Sequence, residues 1–146
     1  MNSSILQGQG SVVLMPVWTL KSCFEHFGAK QKNQRWSWSG RSDDGAIVVV
    51  TLWKDILKVS NGVAEYDAFG HDAEKWIDKV GNRERLDNLK WALSHCDGIF
   101  RGIITVARDT ETRPREIQEC FPYQARMKIH ALNEATGEFK ACSISV

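Results

Sequence analysis

Ala46-Ile47-Val48-Val49-Val50-Thr51-Leu52-Trp53 restricts the fold more than any other segment. It is β-branched and apolar at successive positions, so both faces of an extended chain through it want cover. That pattern predicts a strand central to its sheet. It is also the longest apolar stretch, far short of the roughly 20 residues a membrane-spanning helix needs. Just before it, Trp36 and Trp38 alternate with Arg35, Ser37 and Ser39. This period of two predicts a half-buried strand, joined to the central one through Ser42-Asp43-Asp44-Gly45, a turn with glycine where positive φ is wanted.

Two helices bracket this hairpin in sequence. Leu20, Cys23, Phe24 and Phe27 fall at i, i+3, i+4 and i+7, predicting a helix over Trp18–Lys30 with Thr19 as cap and Gly28 at its end. A second helix is expected from Arg83 to Cys96, capped by Asn82 and followed by Gly98. Its core stripe is Leu86, Leu89, Ala92, Leu93 and Cys96. Trp91 stands roughly 160° from the centre of that stripe, so it must pack beneath a loop or lie exposed.

Between them, Ile56–Val59 and Val63–Tyr66 flank Asn61-Gly62, a strong hairpin signal, and Asp72 is expected to cap a brief helix through Ala73, Glu74, Trp76 and Ile77. Downstream, Ile99–Ala107 reads as a strand, Arg115–Cys120 as a short helix opened by Pro114, and Arg126–Leu132 with Glu138–Ile144 as a final hairpin. The order is not a strict β-α-β alternation. The expected fold is therefore α+β: a curved, mostly antiparallel sheet of five to seven strands with two or three helices, its closure into a partial barrel left open. One domain spans residues 15–146, with residues 1–14 a Ser-, Gln- and Gly-rich tail or leader. That tail lacks the basic and apolar regions of an export signal, so a reducing, cytoplasmic setting with four free thiols is expected.

Charge and composition narrow the function. Nineteen Lys and Arg against eighteen Asp and Glu exclude a globally polybasic surface but leave room for a local one. Lys30, Lys32, Arg35 and Arg41 precede the first acidic residue of their stretch, with Trp36 and Trp38 among them. Cations that neutralise phosphates beside rings that accept bases suit single-stranded or flipped-out nucleic acid. The same two indoles, two residues apart on one strand face, serve a core equally well. Trp53 and Trp91 belong to the same question, because six tryptophans in 146 residues supply either an aromatic cage or a bulky core.

Cys23 with His26, and His95 beside Cys96, do not repeat at metal-ligand spacing, so no metal and no cofactor is expected. Glu65, Asp67 and His71 are the carboxylates and imidazole from which a small hydrolase would be built. No phosphate-binding or nucleophile-elbow motif occurs, and no catalytic residue is assigned.

Arg35-Trp36-Ser37-Trp38 leading into Val48–Trp53, Gly81–Arg85 running through Trp91 to Gly98, Pro114–Ile117 and Asn133–Phe139 together resemble small bacterial proteins of uncharacterised activity carried on mobile elements. The resemblance covers most of Val17–Ile144 and implies no site residue. In architecture alone, helices set into a curved, tryptophan-rich sheet are similar to PUA-like base-reading domains. The expected function is a non-enzymatic binding domain for single-stranded or modified nucleic acid. Trp36, Trp38, Trp53 and Trp91 would form its aromatic pocket and Lys32, Arg35 and Arg41 would hold phosphates. A self-association module forming a homodimer through Trp91 or a sheet edge, and the hydrolase, are the alternatives.

Overall fold

The computed structural model describes residues 17–71 and 76–144. The expectations for the tail at 1–14 and for Asp72, Ala73 and Glu74 lie outside the described residues.

Helix α1 (Leu20–His26) begins in a capping box. The Thr19 hydroxyl accepts from the Ser22 amide at 3.1 Å, and the Ser22 hydroxyl accepts from the Thr19 amide at 2.9 Å. Gly28, at φ 74°, ends the helix earlier than the expected Lys30. Beyond that left-handed residue the chain turns extended as β1 (Ala29–Lys30) and pairs antiparallel with β2 (Ser39–Ser42).

The strand expected over Trp36–Trp38 is not formed. Asn33 folds the chain there instead: its carbonyl accepts from the Trp36 and Ser37 amides, and its side chain accepts from the Arg35 amide at 2.8 Å. An asparagine satisfying local amides outcompetes the ladder that the Trp-Ser-Trp alternation would otherwise join. From β2 the chain reverses through Gly45, φ 73°, into β3 (Val48–Trp53), whose Val48, Val49, Val50 and Leu52 are fully buried.

Asn61 and Gly62, at φ 54° and 78°, make the tight turn between β4 (Lys58–Ser60) and β5 (Val63–Asp67). Helix α2 (Val80–His95) then starts three residues before the expected Arg83. Asn82 is not its cap but lies within its first turn: its side-chain oxygen accepts from Arg85, and its side-chain nitrogen donates to the Ile77 and Thr136 carbonyls. The expected stripe is also revised. Leu89 and Ala92 are buried as expected, whereas Leu93 is 47% exposed and Asn82, Glu84, Arg85 and Asn88 are buried.

Strand β6 (Ile99–Ala107) matches its expectation, and β7 (Ile117–Leu132) pairs along it before meeting β8 (Phe139–Ile144). The helix expected over Arg115–Cys120 is absent: Ile117 to Cys120 pair with Ala107 to Thr105 of β6, whose unoccupied edge satisfies more backbone than an isolated helical turn.

Among the described residues, one α+β sheet of eight strands in the order β1-β2-β3-β6-β7-β8-β5-β4 carries both helices. The count exceeds the expected five to seven because β1, at two residues, is too short to leave a pattern. All pairings are antiparallel except β3 with β6. The sheet is not closed, but it is strongly curled. The Tyr66 hydroxyl of β5 accepts from the Trp53 amide of β3 at 3.1 Å. Those strands are four places apart, about 19 Å across a flat sheet, far beyond the span of one phenol. Val48, Val50 and Leu52 face α2 together with Phe100, Met127 and Phe139, while Val49 and Ile103 face α1 with Cys23, Phe24 and Phe27. Two apolar layers therefore form, one on each face of β3 and β6. No described helix is long and apolar enough to cross a membrane.

Candidate functional site

The residues expected to form an aromatic, basic pocket are distributed to three places. Trp36 and Trp38 are half-buried against the first turn of α2, where a Cβ on Gly81 would stand 2.6 Å from the Trp36 carbonyl and the Trp38 ring. The Arg85 guanidinium lies 5.3 Å from the centre of the Trp38 ring, 5.1 Å from that of Trp76 and 5.1 Å from that of Phe139. Further along α2, Trp91 stacks on His95 at 3.7 Å, and Arg41 lies 4.3 Å from the centre of its ring. The Trp91 indole donates to the Gly45 carbonyl at 2.8 Å, and the Arg41 Nε donates to Asn88 at 3.0 Å. At the far end of β3, Trp53 carries Arg115 at 5.0 Å, itself bidentate to Asp55 at 2.6 and 2.8 Å. Lys32 and Arg35 are exposed on the Asn33 loop.

The tryptophan surplus therefore has an internal use. Four arginines lie over six aromatic rings, four of them indoles, so these rings serve as platforms for guanidinium groups of the same chain. Arg85 shows the consequence. It is 6% exposed, and burial pushes its guanidinium down to about 10, still cationic at neutral pH.

A cleft of about 640 Å³ opens elsewhere, between the end of α1, the β2–β3 turn and the start of β6. Phe27, Ile47 and Val48 provide its apolar wall, and His26, Arg101, Arg126 and Asp97 its ionisable groups. Arg101 and Arg126 are register partners on β6 and β7, so two like charges stand directly opposite each other. Among the described residues no carboxylate forms an ion pair with either. Arg101 lies 4.8 Å from the centre of the Phe27 ring, and its NH2 group donates to the Gln124 carbonyl at 2.9 Å. Its Nε is buried without a partner. Burial, and secondarily Arg126, lower the pKa of Arg101. Such an arrangement favours an anion in the cleft.

None of Trp36, Trp38, Lys32, Arg35, Arg41, Trp53 or Trp91 lines this cleft. A second cleft of about 340 Å³, on the other flank of α1, is lined by Lys21, Phe24, Lys30 and Gln34 and brings the Asn33 loop to the same helix. Arg101 escaped the sequence reading because it sits inside a strongly apolar strand. Its signal was there: a cation on the face that also carries Ile103.

The remaining groups are dispersed. Asp67 faces Lys140 at 3.9 Å and accepts from the Phe69 amide, Glu65 accepts from the Cys142 thiol, and His71 is exposed. Among the described residues no three His, Cys, Asp or Glu side chains are grouped to hold a metal ion. The outer strand β4 is exposed along its length, with Val59 at 65%. Comparison with protein-family models, with curated proteins and with solved structures finds no match in any of the three.

Proposed function

We propose that the chain is a binding domain for single-stranded nucleic acid, with a backbone phosphate docked between Arg101 and Arg126. The observation that carries this reading is the unneutralised arginine pair across β6 and β7 in a cleft with an apolar wall. A phosphate relieves the repulsion between the two guanidinium groups and accepts their donors. Ile47, 37% exposed, offers the adjoining base an apolar surface. Lys21, Lys30 and Gln34, which line the second cleft on the other flank of α1, extend the path beyond the helix towards the exposed Lys32 and Arg35. Arg41, Trp38, Trp53 and Trp91, held by partners within the chain, position the surrounding elements.

Fluorescence anisotropy of a labelled short oligonucleotide over a salt series tests the proposal. Binding should weaken steadily with salt, and Arg126→Gln should reduce the slope of log K against log salt by about 0.7, one single-strand phosphate contact. Absence of binding at about 50 mM salt, or an Arg126→Gln variant that binds like the parent, overturns it.

A further inference from the structure

The chain holds four cysteines, and two of them meet. Cys23 on α1 and Cys120 on β7 have their sulfurs 3.9 Å apart in the apolar layer beneath α1, both as free thiols. Cys96 and Cys142 have no sulfur neighbour: Cys96 points at the Gly45 and Ala46 carbonyls, and Cys142 at the Glu65 carboxylate. We propose that Cys23 and Cys120 are a peroxide-reactive dithiol that closes to an intramolecular disulfide, fastening α1 to the sheet.

The two thiols differ in the way such a reaction requires. Cys120 is 7% exposed and Cys23 fully buried, so the oxidant reaches Cys120 first. Cys23 donates its S–H to the Cys120 sulfur. That hydrogen bond lowers the pKa of Cys120 despite its burial, while Cys23 is raised and keeps its proton. Cys120, the more accessible sulfur and the one that accepts the Cys23 S–H, is thus the sulfur that attacks, and Cys23 the one that resolves.

In the first step Cys120 gives up its proton and, as the thiolate, attacks one oxygen of hydrogen peroxide. The O–O bond breaks, leaving a sulfenic acid and a hydroxide that takes the Cys120 proton to become water. The Cys23 sulfur then gives up its proton and attacks the Cys120 sulfur, and the departing hydroxide takes that proton as a second water. Two thiols lose two electrons, and peroxide gains them. Closure shortens the sulfur separation from 3.9 Å to about 2.05 Å. His26 and Phe27, one turn after Cys23, belong to the cleft wall, so oxidation ties that wall to the sheet.

The test treats the native full chain with hydrogen peroxide, then quenches, denatures and alkylates it. Free thiols should fall from four to two, the product should be two hydrogens lighter, and a non-reducing peptide map should join Cys23 to Cys120. The double variant Cys96→Ser, Cys142→Ser leaves the buried pair untouched and should lose both remaining thiols, with dithiothreitol restoring them. Oxidised protein should also melt at a higher temperature than reduced. Retention of all four thiols, a bridge containing Cys96 or Cys142, or Cys120 halted as a sulfinic acid overturns the proposal. None of these readouts depends on nucleic-acid binding.

Discussion

Glu84 and Arg85 are consecutive residues of one helix, both buried and both charged, yet their fates differ. Arg85 has three aromatic faces and a hydrogen bond to Asn82 at 3.0 Å. Glu84 is 8% exposed, and neither of its carboxylate oxygens has a hydrogen-bond partner among the described residues. Helical spacing places it between Gly81, packed on Trp36 and Trp38, and Asn88, whose amide donates to Ser39 at 2.7 Å. An unpartnered carboxylate so enclosed costs stability, typically about 1–3 kcal/mol. Glu84→Met, which keeps much of the volume and removes the charge, should therefore raise stability by that order. Urea denaturation with an unchanged m-value would show it. A drop in the midpoint would mean that the carboxylate is compensated.

At the scale of elements, the turn of the β2–β3 hairpin meets α2 beyond the Ser39 and Arg41 bonds to Asn88. Gly45 stands at φ 73°, its carbonyl accepts from the Trp91 indole, and a Cβ there would come 2.8 Å from the Trp91 ring. This contact explains an indole on the helix face away from the expected stripe: it packs beneath a loop and fixes how the hairpin approaches. Gly45→Ala should destabilise the fold by about 1–3 kcal/mol, combining a left-handed backbone with a steric conflict. Trp91→Phe should cost about 1 kcal/mol through the lost hydrogen bond. Because both act on one contact, the double variant should lose less than the sum of the two. Simple additivity in denaturation midpoints would contradict this account.

For the molecule as a whole, Tyr66 bridges the curl of the sheet, bonding from β5 to the end of β3 and stacking on Phe139 at 5.5 Å. Complete burial raises its phenol above the usual value. A raised folded-state pKa contributes stability fully present below the unfolded value of about 10 and lost as pH climbs through the folded one. At neutral pH Tyr66→Phe should therefore be the less stable chain, by about 1 kcal/mol for the lost hydrogen bond to the Trp53 amide. Above about pH 10 the gap should narrow and then reverse, because phenylalanine has no proton to lose. Urea midpoints for parent and variant at about pH 7 and pH 11 decide it, and a constant difference would remove Tyr66 as the alkaline weak point.

The amino-acid order alone determined what depends on neighbouring residues. Thr19 and Gly28 bound the first helix, Asn61-Gly62 makes its hairpin, and Val48–Leu52 is covered on both faces, because caps, turns and period-two runs act within a few residues. Only the tertiary structure decided the pairing of β3 with β6 and the capture of Ile117–Cys120 by β6. It alone also settled whether an arginine near a tryptophan faces solvent or lies on that ring. The candidate site belongs to this second group. Phe27, Arg101 and Arg126 come from a helix and two strands that share no local pattern, and their charges meet only because register sets one guanidinium opposite another. A linear pattern reports what a side chain prefers, whereas the partner it finds depends on how distant backbone segments align.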